Sequence, residues 1–250
     1  MLAVVGNLSI DRIEGGPPRV GGGPYHASRA LRLLDTRCEV VTRCADTDRR
    51  SLVPRLAALG MPLHVLRGTH TTAFSFRYEG DTRLMTVDAI GDSWTPRDAR
   101  AVDRRVRWLH VAPLLRSDFP VETVAELARG RRLIFDAHGL VRRPQVGPLQ
   151  LDDDFDPAVL RYVTTLKLAE EEAEIVGDVD VPERIVTLGS RGAIVYAGGR
   201  ETHVPARPLP RDPTGAGDAF AAAYLVARAA GHTPLVATRR ATTIVGAALR

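Results

Sequence analysis

The sequence predicts an α/β protein, a parallel sheet covered by helices on both sides with a small β lid, and three observations carry that reading. Short runs rich in valine, leucine and isoleucine alternate with stretches of helical spacing along most of the chain. One stretch, 71–87, breaks the rhythm with two-residue alternation about a turn. Late in the chain, a glycine-bearing turn at 215–217 opens a helix.

Leu2-Ala-Val-Val-Gly6 is apolar and ends in glycine, as a buried strand feeding a turn does. Residues 26–34 have helical spacing, Glu39–Thr42 reads as a strand, Leu52–Leu59 as a helix, and Pro62–Leu66 as a strand again. Thr72–Tyr78 and Thr82–Val87 then alternate around Glu79-Gly-Asp81, which predicts a hairpin with Phe74, Phe76 and Tyr78 on one face. That face is either core or a wall above a ligand. Strand 108–112, helix 120–129, strand 133–136, a helix near 156–162, strand 165–168 and a helix from Glu170 follow. Strands at 184–188, 193–196 and 203–204 precede helices over 218–230 and 234–249.

With 250 residues and 44% apolar content the chain suits one domain over 1–250, the lid being part of it. The net charge of +4 is diffuse, since the basic residues cluster only in short pieces such as Arg104-Arg105 and Arg131-Arg132. Nucleic acid is therefore not an expected partner, whereas an acidic small molecule is. Lys167 is the only lysine. Cys38 and Cys44 are expected to be buried reduced thiols, and no long apolar span or leader pattern is seen, which points to the cytoplasm and away from a membrane.

The chemistry concentrates in Asp212-Pro-Thr-Gly-Ala-Gly-Asp-Ala-Phe220. A helix start leaves amide hydrogens unpaired and carries the positive end of the helix dipole, so small residues there make an anion cradle. An aspartate on the first turn, Asp218, stands beside that cradle, where it can take a proton from a hydroxyl. An ordinary capped helix fits Gly-Ala-Gly-Asp as well.

The full segment resembles the C-terminal signature of the ribokinase-like (PfkB) carbohydrate kinases. The resemblance implies a three-layer ribokinase-like fold and ATP-dependent phosphoryl transfer, with Asp218 as base and Gly215, Ala216 and Gly217 as anion hole. Gly6-Asn-Leu-Ser-Ile-Asp11 and Gly21-Gly-Gly-Pro-Tyr-His-Ala-Ser28 are similar to the family's substrate segments, implying contacts from Asp11, Gly22, Gly23 and His26. His26 stands where most members carry asparagine. Lys167-Leu-Ala-Glu-Glu-Glu172 resembles the Asn-x-x-Glu segment, with Ala169 in place of the asparagine and Glu172 implied as a magnesium contact through water. Thr187-Leu-Gly-Ser-Arg-Gly192 looks like the ATP-binding turn, implying roles for Thr187 (or Ser190), Gly189 and Gly192. Asp212 and Thr214 match positions that hold a monovalent cation such as K+ in many members. After Gly246–Arg250 the family's further strand and loop over adenine are not found.

The acceptor implied is a polyol of the inositol class, an ordinary sugar or a nucleoside. The polyol reading is suggested by the combination of Asp212-Pro-Thr-Gly-Ala-Gly217, Thr71-Thr72 and Phe135-Asp-Ala-His-Gly-Leu-Val-Arg142, which resembles the inositol and polyol kinase branch. A non-catalytic sensor of sugar or nucleotide on the same fold is the alternative, and a dinucleotide oxidoreductase fails because Gly6-Asn-Leu-Ser lacks the glycine fingerprint. A lid with one apolar face must cover something, which leads to the expectation of a homodimer through the lid.

Overall fold

The computed structural model describes residues 1–79, 82–206 and 215–248. β1 (Leu2–Asn7), buried from Ala3 onward, lies inside a nine-stranded sheet between β4 (Glu39–Arg43) and β8 (Trp108–Val111), both parallel to it. β5 (Leu63–Leu66) ends one side. On the other side β9 (Arg132–Asp136), β11 (Thr165–Ala169) and β12 (Glu183–Thr187) continue in parallel. β13 (Ala193–Ala197) and β14 (Arg200–Val204) finish that edge antiparallel.

The period of two along each strand sends alternate residues to opposite layers. Ala3, Val5, Leu109, Val111, Leu133, Phe135, Leu166 and Leu168 join one core with residues of α3 (Pro96–Ala99), α4 (Val121–Ala128), α5 (His138–Val141), α6 (Glu170–Val176) and the 3-10 turn Pro157–Tyr162. Val4, Trp108, Ile134 and Ile185 meet α1 (Gly23–Leu33), α7 (Ala216–Ala229) and α8 (Pro234–Ala248) on the other face. Small residues let α1 and α7 approach closely, through Ala27, Ala30, Ala219 and Ala222. α2 (Arg49–Ala57) buries Leu52 and Leu56 against Val40. Each fully buried Val or Leu contributes roughly 1.5–3 kcal/mol relative to exposure, so the three layers follow from the alternation itself.

Three ionisable side chains of the sheet interrupt this pattern near the start of α7. His110, Asp136 and Lys167 alternate with Trp108, Ile134 and Thr165 on the α7 side, on three adjacent strands. Deeper along the helix, Glu183 accepts from Thr165 Oγ1 (2.8 Å), Tyr224 Oη (2.6 Å) and Arg228, joining two strands to α7. Burial beside this carboxylate pushes the Tyr224 phenol up, so it stays a hydrogen donor.

The lid is larger than the hairpin expected at 71–87. β6 (Thr72–Glu79) and β7 (Thr82–Ala89) form that hairpin, but β2 (Ser9–Ile13), β3 (Arg19–Gly21) and β10 (Gly147–Pro148) extend it to five strands in the order β10-β7-β6-β2-β3. Ser-Ile-Asp-Arg-Ile carries too few apolar residues to announce a strand, and only Leu8 separates it from β1. Phe74 and Phe76 pack on Leu114 and Leu115 of the same chain. Phe74 and Phe76 are thus covered from within the chain.

The turn after β8 holds a buried acid. Asp118 accepts from the Leu114 amide at 2.8 Å, but burial pushes its carboxyl up to about 7. An unfolded aspartate titrates near 3.9. Between these values the folded chain holds a proton that the unfolded chain has released, so stability falls as pH rises from about 4 to about 7. Asp118→Asn is expected to remove this slope: in thermal melts from pH 5 to 8, the variant's Tm gains on the wild type as pH rises. A constant difference between the two would contradict the assignment.

Candidate active site

α7 begins at Gly215, whose φ of 79° is left-handed and free of strain only for glycine. Among the described residues no side chain caps this end, so its first amides are candidates to meet a ligand. At three glycines here another side chain fills the space a Cβ would take. A Cβ on Gly215 would collide with the His26 ring, one on Gly217 would lie 2.7 Å from Lys167 Nζ, and one on Gly23 would lie 2.8 Å from Asp218 Oδ1 and strike Ala112. Asp218 therefore stands where the start of α7 meets the start of α1.

Below it, Asp136 joins two partners: Oδ2 lies 2.7 Å from His110 Nε2 and Oδ1 lies 2.8 Å from Lys167 Nζ. Burial pushes the Asp136 carboxyl up, but the Lys167 ammonium and the His110 contact outweigh it and hold the group below the ordinary range. Burial likewise disfavours the Lys167 ammonium, and Asp136, with Glu172 and Asp218 nearby, reverses that and raises it. The pair is therefore ionic. His110, Asp136 and Asp218 bring one ligand atom each to within 4.8 Å of one another, yet the cation of this cluster is already Lys167.

On the side facing the lid, Asp11 is buried in β2, accepts from Ser9 Oγ at 2.7 Å and packs against Gly21, which has no room for a Cβ. Its partner in register is Phe74. Gly22 caps α1 with a φ of 94°, and a Cβ there would lie 2.5 Å from the Asn7 carbonyl. His26, one turn into α1, turns its ring to Gly215. The predicted substrate residues and the predicted cradle are thus adjacent.

On the other side, Thr187 spends its hydroxyl proton on the Leu168 carbonyl at 3.0 Å, leaving oxygen lone pairs but no donor. Ser190 is exposed, and Gly189 has a φ of 58°. Gly192 admits the backbone of Val204 to Ala206. Asp212 and Thr214, expected at a monovalent-cation site, lie outside the described residues.

Glu172 is turned inward. One oxygen accepts from the Ala169 amide at 2.7 Å and the other lies 3.3 Å from His138 Nε2, with the side chain 2% exposed. Burial, with Arg142 and Lys167 nearby, holds His138 well below its usual range and so neutral. One oxygen of Glu172 thus holds the start of α6, and the other faces His138 of α5. Each oxygen keeps a further lone pair beside these contacts.

The geometry missed from sequence is the His110–Asp136–Lys167 set. A lone lysine in the buried strand Thr165-Leu-Lys-Leu168, within a chain whose other cations are all arginine, was its available signal. No helix among the described residues is long and apolar enough to cross a membrane, and Cys38 and Cys44 are free and buried.

A fold of this kind, with an uncapped glycine turn beside a carboxylate, is that of ribokinase-like proteins. The family profile of pfkB carbohydrate kinases matches residues 67–249, and the chain belongs to that family. It is 29% identical to a ribokinase of Bacillus subtilis over 176 residues, 65% of this chain and 57% of that protein. It is 32% identical to an inositol 3-kinase of Zea mays over 160 residues, 53% and 42% of the two chains. The chain thus spans about half the length of the curated relatives it matches. Among solved structures, a pyrophosphate-dependent kinase of the ribokinase family, complexed with a pyrophosphate analogue and myo-inositol, superposes with a TM-score of 0.87 at 25% identity. That match covers 100% of this chain and 95% of the other.

Proposed function

We propose that this protein phosphorylates a hydroxyl of a small polyol of the inositol class. The observation that carries the reading is Asp218, on the first turn of α7, between the acceptor-side glycine Gly23 and the amides of the cradle. Asp218 takes the proton of the attacking hydroxyl, whose oxygen forms the new bond to phosphorus as the bridging bond of the donor breaks. The amides at 215–217 stabilise the charge on the transferring group, because they point at it before the reaction begins. Asp11 accepts hydrogen bonds from other hydroxyls of the acceptor, with His26 beside the cradle. The inositol 3-kinase relative and the myo-inositol complex of the pyrophosphate-dependent kinase support the acceptor class.

The donor expected from the sequence is ATP, held against the turn 187–192. A second reading, pyrophosphate, is favoured by the likeness to the pyrophosphate-dependent kinase over nearly its whole length. Magnesium entering with the donor would take hard oxygen ligands from phosphates and water, with Glu172 as the residue that would help hold it through water. The chain works in the cytoplasm, where free buried thiols remain reduced.

The test is a matrix of acceptors (inositols, other polyols, sugars and nucleosides) against ATP and pyrophosphate, read as phosphate ester formed. Ester from an inositol with either donor is expected. Binding without ester in every pairing would move the protein to the sensor reading.

A further inference from the structure

We propose that Lys167 is the fixed counter-charge of the donor-phosphate cradle, a positioning residue held under Gly217 by Asp136 and, behind it, by His110. The inference rests on the kinase reading and deepens it. Gly217 is not among the positive-φ glycines, so its backbone does not require glycine. What requires it is the ammonium, which lies 2.7 Å from where a Cβ would stand. A cation placed at a helix N-terminus opposes the helix dipole, and burying it adds a desolvation cost. The arrangement becomes favourable when an anion sits on the same turn, because two sources of positive potential then converge on it.

Residue choice supports the same reading. All other cations of this chain are arginine, and lysine is retained only here. An ammonium is compact enough to fit under Gly217, whereas a planar guanidinium is wider. Asp136 fixes the amine from one side at 2.8 Å, and His110 fixes the other carboxylate oxygen at 2.7 Å. His110 Nδ1 and Asp136 are both buried, so the set is an interior support that does not touch solvent.

Isothermal calorimetry with inorganic pyrophosphate, with ATP and with myo-inositol tests this. Lys167→Met is expected to raise the Kd for the phosphate donor at least tenfold while the Kd for myo-inositol changes less than about twofold. Lys167→Arg restores the charge but not the fit under Gly217, so it is expected to leave the donor Kd above wild type. Because Lys167→Met leaves Asp136 buried without its partner, Lys167→Met/Asp136→Asn is measured alongside; it removes the pair as a unit and should weaken the donor in the same direction. A purely structural lysine would instead affect both ligands together or neither. Donor affinity equal to wild type in a folded double variant overturns the inference and leaves the kinase reading intact. A wild-type protein that binds neither pyrophosphate nor ATP overturns the kinase reading itself.

Discussion

Asp218→Asn is expected to lower kcat by about two to four orders of magnitude while the acceptor KM stays within about threefold. Asparagine has the shape of aspartate, so it fits the space left open by Gly23 and keeps the α7 turn in place. What it loses is the capacity to take a proton. An oxygen nucleophile that keeps its proton is a poor attacker, and the amides of the cradle cannot compensate because they act on the phosphoryl group. Single-turnover measurement of ester formation separates the chemical step from product release. Near-normal turnover would remove Asp218 from the reaction and with it the proposed mechanism.

The second large effect is expected from the smallest change, Gly23→Ala. Gly23 lies in α1, does not have positive φ, and would gain helix propensity of about 0.5–1 kcal/mol from alanine. The added methyl, however, meets Asp218 Oδ1 at 2.8 Å and collides with Ala112. Either the carboxylate or the start of α1 must shift. A displacement on the order of 1 Å costs about a hundredfold in rate where geometry sets the barrier, so kcat should fall by about that factor while Tm moves by only a few degrees. Paired kinetics and melts check this, and wild-type kcat in the variant would mean that the resting position of Asp218 is not its working one.

Much of this was readable from the chain because it rests on repeating chemistry. The alternation of apolar runs gave the succession of strands and helices along the chain, and Asp212–Phe220 gave the helix start with its carboxylate. What was not readable depended on direction. Asp11 was recognised, but the strand that carries it was not, because its pairing with β6 comes from residues more than 60 positions away. Glu172 offers the right atoms for a metal, and its third position in α6 also lets it reach back to the Ala169 amide, a bond the sequence does not announce. Lys167 was passed over as part of a segment whose expected asparagine is absent. Its role follows from its neighbour on β9 and from a glycine 50 residues away.

The Glu183 cluster bears on the same chemistry from a distance. It grips α7 at Tyr224 and Arg228, about 9 and 15 Å along the helix axis from Asp218 at 1.5 Å per residue. α7 is thus a lever with its fulcrum in the sheet and its working tip at the carboxylate. A small tilt at the fulcrum becomes a larger sweep at the tip, so accuracy of aim at Asp218 is set partly by a carboxylate that never meets the reactants.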